Sequence, residues 1–526
     1  MADSSVQEQK TKQVLPDNTE KTLVPQVEIA RVIKTAPSRF RNEIAKYIIR
    51  RSSDCIQCGK CAEVCPYGVH VLKPGYKNFA APHQHVCIGP SCQQTSHYCI
   101  DLCPQKALKM VENPMLKCLG DYRWTPDMIL ATWKMAETGE PPLSEYGFDY
   151  HVGASGGGFD RLRFKFPDKP PVELAEEEID TSLELNHRHD GRPQIKIDVP
   201  WYGGGMSFGS VSNITQLSKA RAAVAFNTFT CTGEGGYMER MRPYDDHTIT
   251  QVATGLFGVR EETIQRVRII EFKYAQGAKP GLGGHLLADK VTPAVAKMRE
   301  TITGISLFSP FPFHSVYSIE DHKKHLDWIK HINRRALVST KVSTPVDVDM
   351  VAVGSYSAGT HIVHLDGGYG GTGAAPDIAK KNIAMPIEYA IVKVHNFLEQ
   401  EGIRDKVTLI ASGGIRTAHD IAKAIALGAD GVVVGTSELV ALGCLRCTRC
   451  ESGRGCPRGI ATTDAELSEK INVEWGSQRI INLYNAWRKE IVGILKSFGM
   501  RSVGELRGRA DLLMHLDYSN DAEHNK

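Results

Sequence analysis

From about residue 195 to 480 the chain alternates short Val/Ile-rich runs with stretches of helical periodicity, and Gly-rich turns follow the runs. HIVHLDGG, VTLIASGG and DGVVVGTS are three such runs, each followed by a helix-like segment. Strand-then-helix alternation sustained over this span predicts a parallel α/β fold, and the length suits a (β/α)8 TIM barrel. A doubly wound sheet is the rival architecture. Against it, no G-x-G-x-x-G follows a first strand with an acidic residue about 20 positions on.

The flanks carry other patterns. Residues 1–35 are polar and predict a disordered or loosely docked arm. Residues 36–110 hold a dense cysteine block, and 111–195 form a connector without clear periodicity, whose GASGGGFDR stretch reads as a loop. The barrel is placed at 196–480, and 481–526 read as a helical segment with a polar tail. With 526 residues, two or three domains are expected.

Composition narrows the classes. Hydrophobic residues make up 42% and charged residues 23%, as in globular chains. The 63 basic and 60 acidic residues nearly cancel, at +3, so neither nucleic acid nor an anionic membrane surface is implied as a partner. The opening MADSSVQEQKTKQ lacks an apolar signal core, and no run of about 20 apolar residues predicts a spanning helix. A cytoplasmic setting is the expectation.

Fourteen cysteines change the picture, because twelve of them fall in two tight clusters. In a reducing compartment that arrangement points to metal rather than disulfides. Cys55-x2-Cys58-x2-Cys61-x3-Cys65-Pro66 is the bacterial ferredoxin run. Cys87-x4-Cys92-x6-Cys99-x3-Cys103-Pro104 is a stretched second run. In two-cluster ferredoxins the fourth cysteine of each run ligates the other cluster. One 4Fe–4S centre is therefore expected on Cys55, Cys58, Cys61 and Cys103, and another on Cys87, Cys92, Cys99 and Cys65. Structural zinc is the alternative for C-x2-C spacing. Cys118 and Cys231 have no partners at ligand spacing and read as buried packing residues.

Within VTLIASGGIRTAHDIAKAIALGADGVVVGTS, one strand ends in Ser412-Gly413-Gly414 and the next in Gly435-Thr436. Glycines at strand ends ahead of helices expose backbone N–H groups, the usual phosphate grip after strands seven and eight of such barrels.

These segments, followed by ALGCLRCTRCESGRGCPRGIAT, resemble the FMN domain of the glutamate synthase family. GGGMSFGSVS, TGEGGY, TQVATGLFGV, QGAKPGLGGHLLADKV, SPFPFHSVYSIED and GGYGGTGAAP match family blocks in order, over about residues 195–465. The ferredoxin block ahead of them looks like the short, archaeal-type form. The resemblance implies FMN at the barrel mouth. Its phosphate would meet Gly413, Gly414, Gly435 and Thr436, with Gly371, Thr372 and Gly373 nearby. Met206 and Ser207 would line the ring, Gln251 would bond its polar edge, and Lys341 would lie near N1. Lys279 and Arg299, with Ser318 as helper, would hold 2-oxoglutarate by its carboxylates. Glu234 would stand near the ammonia entry and could accept a proton there. His285 replaces a Gln that many members carry beside the substrate. Cys444, Cys450 and Cys456 would hold a 3Fe–4S centre, with Cys447 as a possible fourth ligand of a 4Fe–4S one.

The implied chemistry is addition of ammonia to 2-oxoglutarate, then hydride transfer to the resulting 2-iminoglutarate. The chain opens Met1-Ala2 and its first cysteine is a cluster ligand, so the N-terminal cysteine nucleophile of a glutaminase domain is not expected. A separate glutaminase subunit or free ammonia, a β-helix scaffold subunit, and a ferredoxin or reductase as electron donor are the implied partners of a hetero-oligomer. The rivals are the flavin subunit of N-methylglutamate synthase, an electron-transfer subunit without amino-acid turnover, and an FMN-dependent 2-hydroxy-acid oxidase. The last would need a catalytic His–Arg pair, which has no place in this pattern, and would carry no clusters.

Overall fold

The structure, a computed structural model, describes residues 27–40, 44–73, 79–153, 158–310, 313–372, 378–379 and 383–518. Eight strands, β1 (Trp201–Gly203), β2 (Thr230–Cys231), β3 (Thr248–Ala253), β4 (Ile269–Lys273), β5 (Leu337–Ser343), β6 (Ile362–Asp366), β7 (Thr408–Ser412) and β8 (Gly431–Val434), form one parallel sheet. From β2 to β8 each pairs with its sequence neighbours, and β8 pairs with β1. The seam between β1 and β2 is bridged by Gly203 N donating to Phe229 O at 2.8 Å, so the sheet is a nearly closed barrel. Runs such as Ile269–Lys273 and Thr408–Ser412 are buried along their whole length. Helices cover the outer face and barrel side chains fill the inner one, which is why these strands lack polar alternation.

A small unit precedes the barrel. Tyr47–Arg51 pairs antiparallel with Leu108–Glu112, and the first eight cysteines lie between these two strands in sequence. The connector contains more regular structure than its pattern suggested. Pro126–Thr138 is a helix, capped by Thr125 and ended by Gly139 at φ 77. It packs against the C-terminal helix Val473–Ser497, which starts eight residues before the segment read as helical.

Arg479 of that C-terminal helix ties four parts together. Its guanidinium donates to Ala441 O (2.5 Å), Ala36 O (2.6 Å) and Trp133 O (3.1 Å). The described part of the arm is docked: Arg31 pairs with Asp198 at 2.9 Å, and Asn482 donates to Lys34 O at 2.8 Å.

Candidate active site

Parallel strands deliver all their carboxyl ends to one mouth, and the loops there enclose a cavity of about 220 Å3. Met206 and Ser207 come from the loop after β1, Glu234 from the loop after β2, and Gln251 from β3. Lys279, His285 and Arg299 come from the long insertion after β4, which folds as a hairpin (Leu282–Leu286 with Leu307–Pro310) holding the helix Pro293–Arg299. Lys341 projects from β5, Gly371 and Thr372 follow β6, Gly413 and Gly414 follow β7, and Gly435 and Thr436 follow β8. All of these line the one cavity. Gly373 lies outside the described residues. Ser318 is not brought to the cavity: it is exposed and caps the helix Ile319–Ile332, accepting from Asp321 N at 3.2 Å.

One rim of the cavity is a bare backbone cradle. Gly413 has φ +91, and a Cβ there would stand 2.3 Å from Gly367 O, so only glycine fits. Around Gly435 nothing approaches within 4 Å of the Cβ position. Among the described residues, the amides of Gly413, Gly414, Gly435 and Thr436 donate to no acceptor. Unpaired amides converging on one space form an anion site.

The opposite rim is cationic. Arg299 is 3% exposed and holds Ser207 Oγ at 2.8 Å with Nη2, while Nε and Nη1 are buried without a hydrogen-bond partner. Gly235 permits that approach, since a Cβ on it would stand 2.7 Å from Arg299 Nη2. Burial, reinforced by Lys273, pulls the Lys279 ammonium down to about 8. Glu234 bonds Lys273 Nζ at 3.0 Å. Burial pushes its carboxyl up, but Lys273 and Lys279 outweigh that and hold it at about 2.

Under the mouth runs a buried polar chain. Lys341 lies 3.4 Å from Asp366, which accepts from Ser412 Oγ (2.5 Å) and from Gly277 N (2.9 Å). His364 bridges Ser412 Oγ and Glu271 at 2.8 Å each. Gln251 Nε2 donates to Glu271 at 2.7 Å, so one face of this predicted ring contact is occupied in holding the chain. Burial lowers the Lys341 ammonium and Asp366 and Glu271 raise it, for a net rise that keeps it charged.

Lys273, Gln276 and Asp366 line the cavity but escaped the sequence reading. Asp366 was visible as the last residue of HIVHLD, where a carboxylate directly precedes a glycine turn. Lys273 ends the apolar run IIEFK in the same way.

The second cysteine group reaches this cavity through Cys450. Cys456 is buried, Cys444 and Cys450 are half-buried, and Cys447 is exposed. Burial, then neighbouring Cys450 and Cys456, hold the Cys444 thiol up at about 12 despite Arg446. Arg446 (φ 60) and Thr448 (φ 59) are left-handed and bracket Cys447, which is exposed while Cys444 and Cys450 on either side are half-buried. Lys290, also missed, clamps the loop: its buried ammonium donates to Cys450 O (2.5 Å), Ala461 O (3.2 Å) and Ser210 O (3.3 Å). The connector meets the same loop through Arg446 and Asp121 at 2.7 Å. In the N-terminal unit, Cys65 lines one pocket with Cys87, Cys92 and Cys99. Burial, then those three thiols, raise Cys99 to about 12. Cys61 lies 3.8 Å from Arg51 Nη2, and Cys103 Sγ accepts from Ala107 N at 3.3 Å.

Fold and site together define a barrel enzyme with an anion cradle and a cationic pocket at its mouth, flanked by cysteine clusters. Residues 162–501 match the family described as conserved region in glutamate synthase, and residues 48–69 match a 4Fe-4S binding domain. The chain belongs to the glutamate synthase family, whose members are oxidoreductases. It is 37% identical to the archaeal-type glutamate synthase (NADPH) of Dehalococcoides mccartyi, over 88% of this chain and 94% of the relative. The archaeal glutamate synthase (NADPH) of Methanocaldococcus jannaschii is 37% identical over 87% and 92%. The glutamate synthase (NADPH) large chain of Azospirillum brasilense is 36% identical over 61% of this chain but only 21% of its own length. Among the described residues, no helix is long and apolar enough to cross a membrane.

Proposed function

We propose that this protein reductively aminates 2-oxoglutarate to L-glutamate, using FMN at the barrel mouth and electrons delivered through iron–sulfur clusters. The observation that carries the reading is the charge of the cavity. Among the described residues, Lys273, Lys279, Arg299 and Lys341 line it against Glu234 and Asp366, a surplus of two positive charges that suits a dicarboxylate. A relay subunit that turned over no amino acid would have no use for Arg299, whose buried Nε and Nη1 have no partner among the described residues.

The cradle of Gly413, Gly414, Gly435 and Thr436 fits a flavin phosphate, and Lys341 fits the pole of the ring where negative charge collects. FMN, when bound, supplies the hydride. Arg299, with two buried N–H groups unpaired, grips one substrate carboxylate, and Lys279 charges the other end. Glu234, held near 2, is too weak a base to take a proton from ammonium. It instead accepts an N–H bond and orients the attacking nitrogen. Lys279, near 8, is the better donor of the proton that lets the carbinol oxygen leave as water, giving 2-iminoglutarate.

The N-terminal cysteines would hold two 4Fe–4S centres, and Cys444, Cys450 and Cys456 a 3Fe–4S centre against the cavity wall. Ammonia would come from a separate glutaminase subunit or from solution, with a β-helix scaffold subunit completing the assembly. The relatives are named for NADPH, so a ferredoxin or a reductase drawing on NADPH would be the donor to the clusters. The domains would divide as the sequence reading has them, except that the C-terminal segment would begin with its helix at Val473. The test is anaerobic: reduce the flavin of the purified protein, add 2-oxoglutarate with ammonium or methylamine, and identify products by mass spectrometry. Glutamate from ammonium is expected. N-methylglutamate alone would move the protein to the rival amine, and no flavin in the purified protein would end the reading.

A further inference from the structure

Outside the barrel mouth, three segments bring metal-ligating side chains to one point. His151 belongs to the connector, His419 to the first turn of the helix Ala418–Ala426, and Glu490 to the C-terminal helix. One ligand atom from each lies within 4.8 Å of the others. We propose that His151, His419 and Glu490 form a binding site for a divalent transition-metal ion of the zinc type, which staples the connector to the barrel and to the C-terminal helix.

Three observations carry this. First, the two imidazoles meet Nδ1 to Nδ1 at 3.0 Å. Two nitrogens about 2.0–2.1 Å from a shared tetrahedral zinc stand roughly 3.3 Å apart, so a few tenths of an ångström of opening admits the ion. Second, Glu490 is half satisfied. Tyr150 donates to Oε1 at 2.6 Å, while Oε2 is buried without a hydrogen-bond partner among the described residues. A buried carboxylate oxygen left unpaired is costly, and a cation removes that cost. The tyrosine bond is also what an outer partner of a metal carboxylate supplies. Third, His151 is exposed, leaving a route for the ion and a fourth position for water.

The electrostatics are consistent. Lys423 and Arg163 stand near but are spoken for: Lys423 donates to Phe159 O at 3.0 Å, and Arg163 to Leu162 O at 3.0 Å. Asp149 faces His151 from the other side.

The cysteines also bind zinc, so the test must separate the two. The full-length protein, purified anaerobically with its iron in place, is incubated with Zn2+ alone and desalted. Zinc and iron per chain are then measured, with the thermal midpoint, for the wild type, His151→Ala and Glu490→Gln. His151 is exposed, and Gln keeps an acceptor for Tyr150, so both variants should fold. One zinc per chain with unchanged iron, a zinc-dependent rise in the midpoint, and loss of both in each variant is the expected result. No zinc retained by the wild type would overturn the site, leaving a hydrogen-bonded histidine pair. Equal zinc in the wild type and His151→Ala would overturn it too, placing the metal on cysteines.

Discussion

At the scale of single residues, the candidate site works by leaving charges unsatisfied. Arg299 spends Nη2 on Ser207 Oγ and Phe208 O and keeps two buried nitrogens, Nε and Nη1, for a ligand. Replacing it with Ala should cost about 2–3 kcal/mol of binding, the value of a charge-assisted pair in a desolvated site, or roughly 30- to 150-fold in KM for 2-oxoglutarate. An Arg299→Ala enzyme with wild-type KM would remove the dicarboxylate argument. Lys279 gives a pH signature. Its ammonium is charged below about 8 and loses charge above it. KM for 2-oxoglutarate should therefore be level below that pH and climb about tenfold per unit beyond it, whereas Lys279→Arg should stay level. KM is the informative quantity, because free ammonia also rises with pH and raises kcat independently. A wild-type KM flat up to about pH 9.5 would count against Lys279 as a carboxylate partner.

At the scale of elements, legibility follows the range of the signal. Strand-end glycines such as Gly413-Gly414 were readable because a left-handed turn after an apolar run is a local pattern. Lys290 was not, because it acts on Cys450 and Ala461, which lie 160 and 171 positions away. Ser318 shows the opposite failure: its motif matched, yet Ser at that point also caps a helix, and the cap is what its side chain does. The connector helix was missed although Thr125-Pro126 and Gly139 are start and stop signals. Its residues are buried nearly all round, so no amphipathic period was present to find. The cysteine loop yields a prediction at this scale. Left-handed Arg446 and Thr448 bracket Cys447, which is exposed. Cys447→Ser should leave the electron paramagnetic resonance signal of the oxidised barrel cluster unchanged, and Cys450→Ser should abolish it. A changed cluster type in Cys447→Ser would make that residue a ligand.

At the scale of the whole molecule, the (β/α)8 architecture was legible because strands such as Ile362–Asp366, Thr408–Ser412 and Gly431–Val434 are short, largely apolar runs, and from β2 to β8 each neighbour in sequence is a neighbour in the sheet. The way the parts clasp one another was not. Arg479 of the C-terminal helix joins the start of the cysteine block at Ala36, the connector and the barrel through main-chain carbonyls, which carry no sequence signature. A second tie holds the connector against the cysteine loop at Asp121 and Arg446, so the segment that follows the N-terminal cysteine unit is fixed at the loop beside the barrel mouth. The central claim is that this mouth is built for a keto acid with two carboxylates. The most direct measurement is reoxidation of the reduced flavin by ammonium with 2-oxoglutarate or with pyruvate, a shorter 2-oxo acid that lacks the second carboxylate and one methylene. A kcat/KM for 2-oxoglutarate at least about 100-fold above that for pyruvate is expected, with the ratio collapsing in Arg299→Ala or Lys279→Ala. Equal use of the two acids by the wild type would contradict the account.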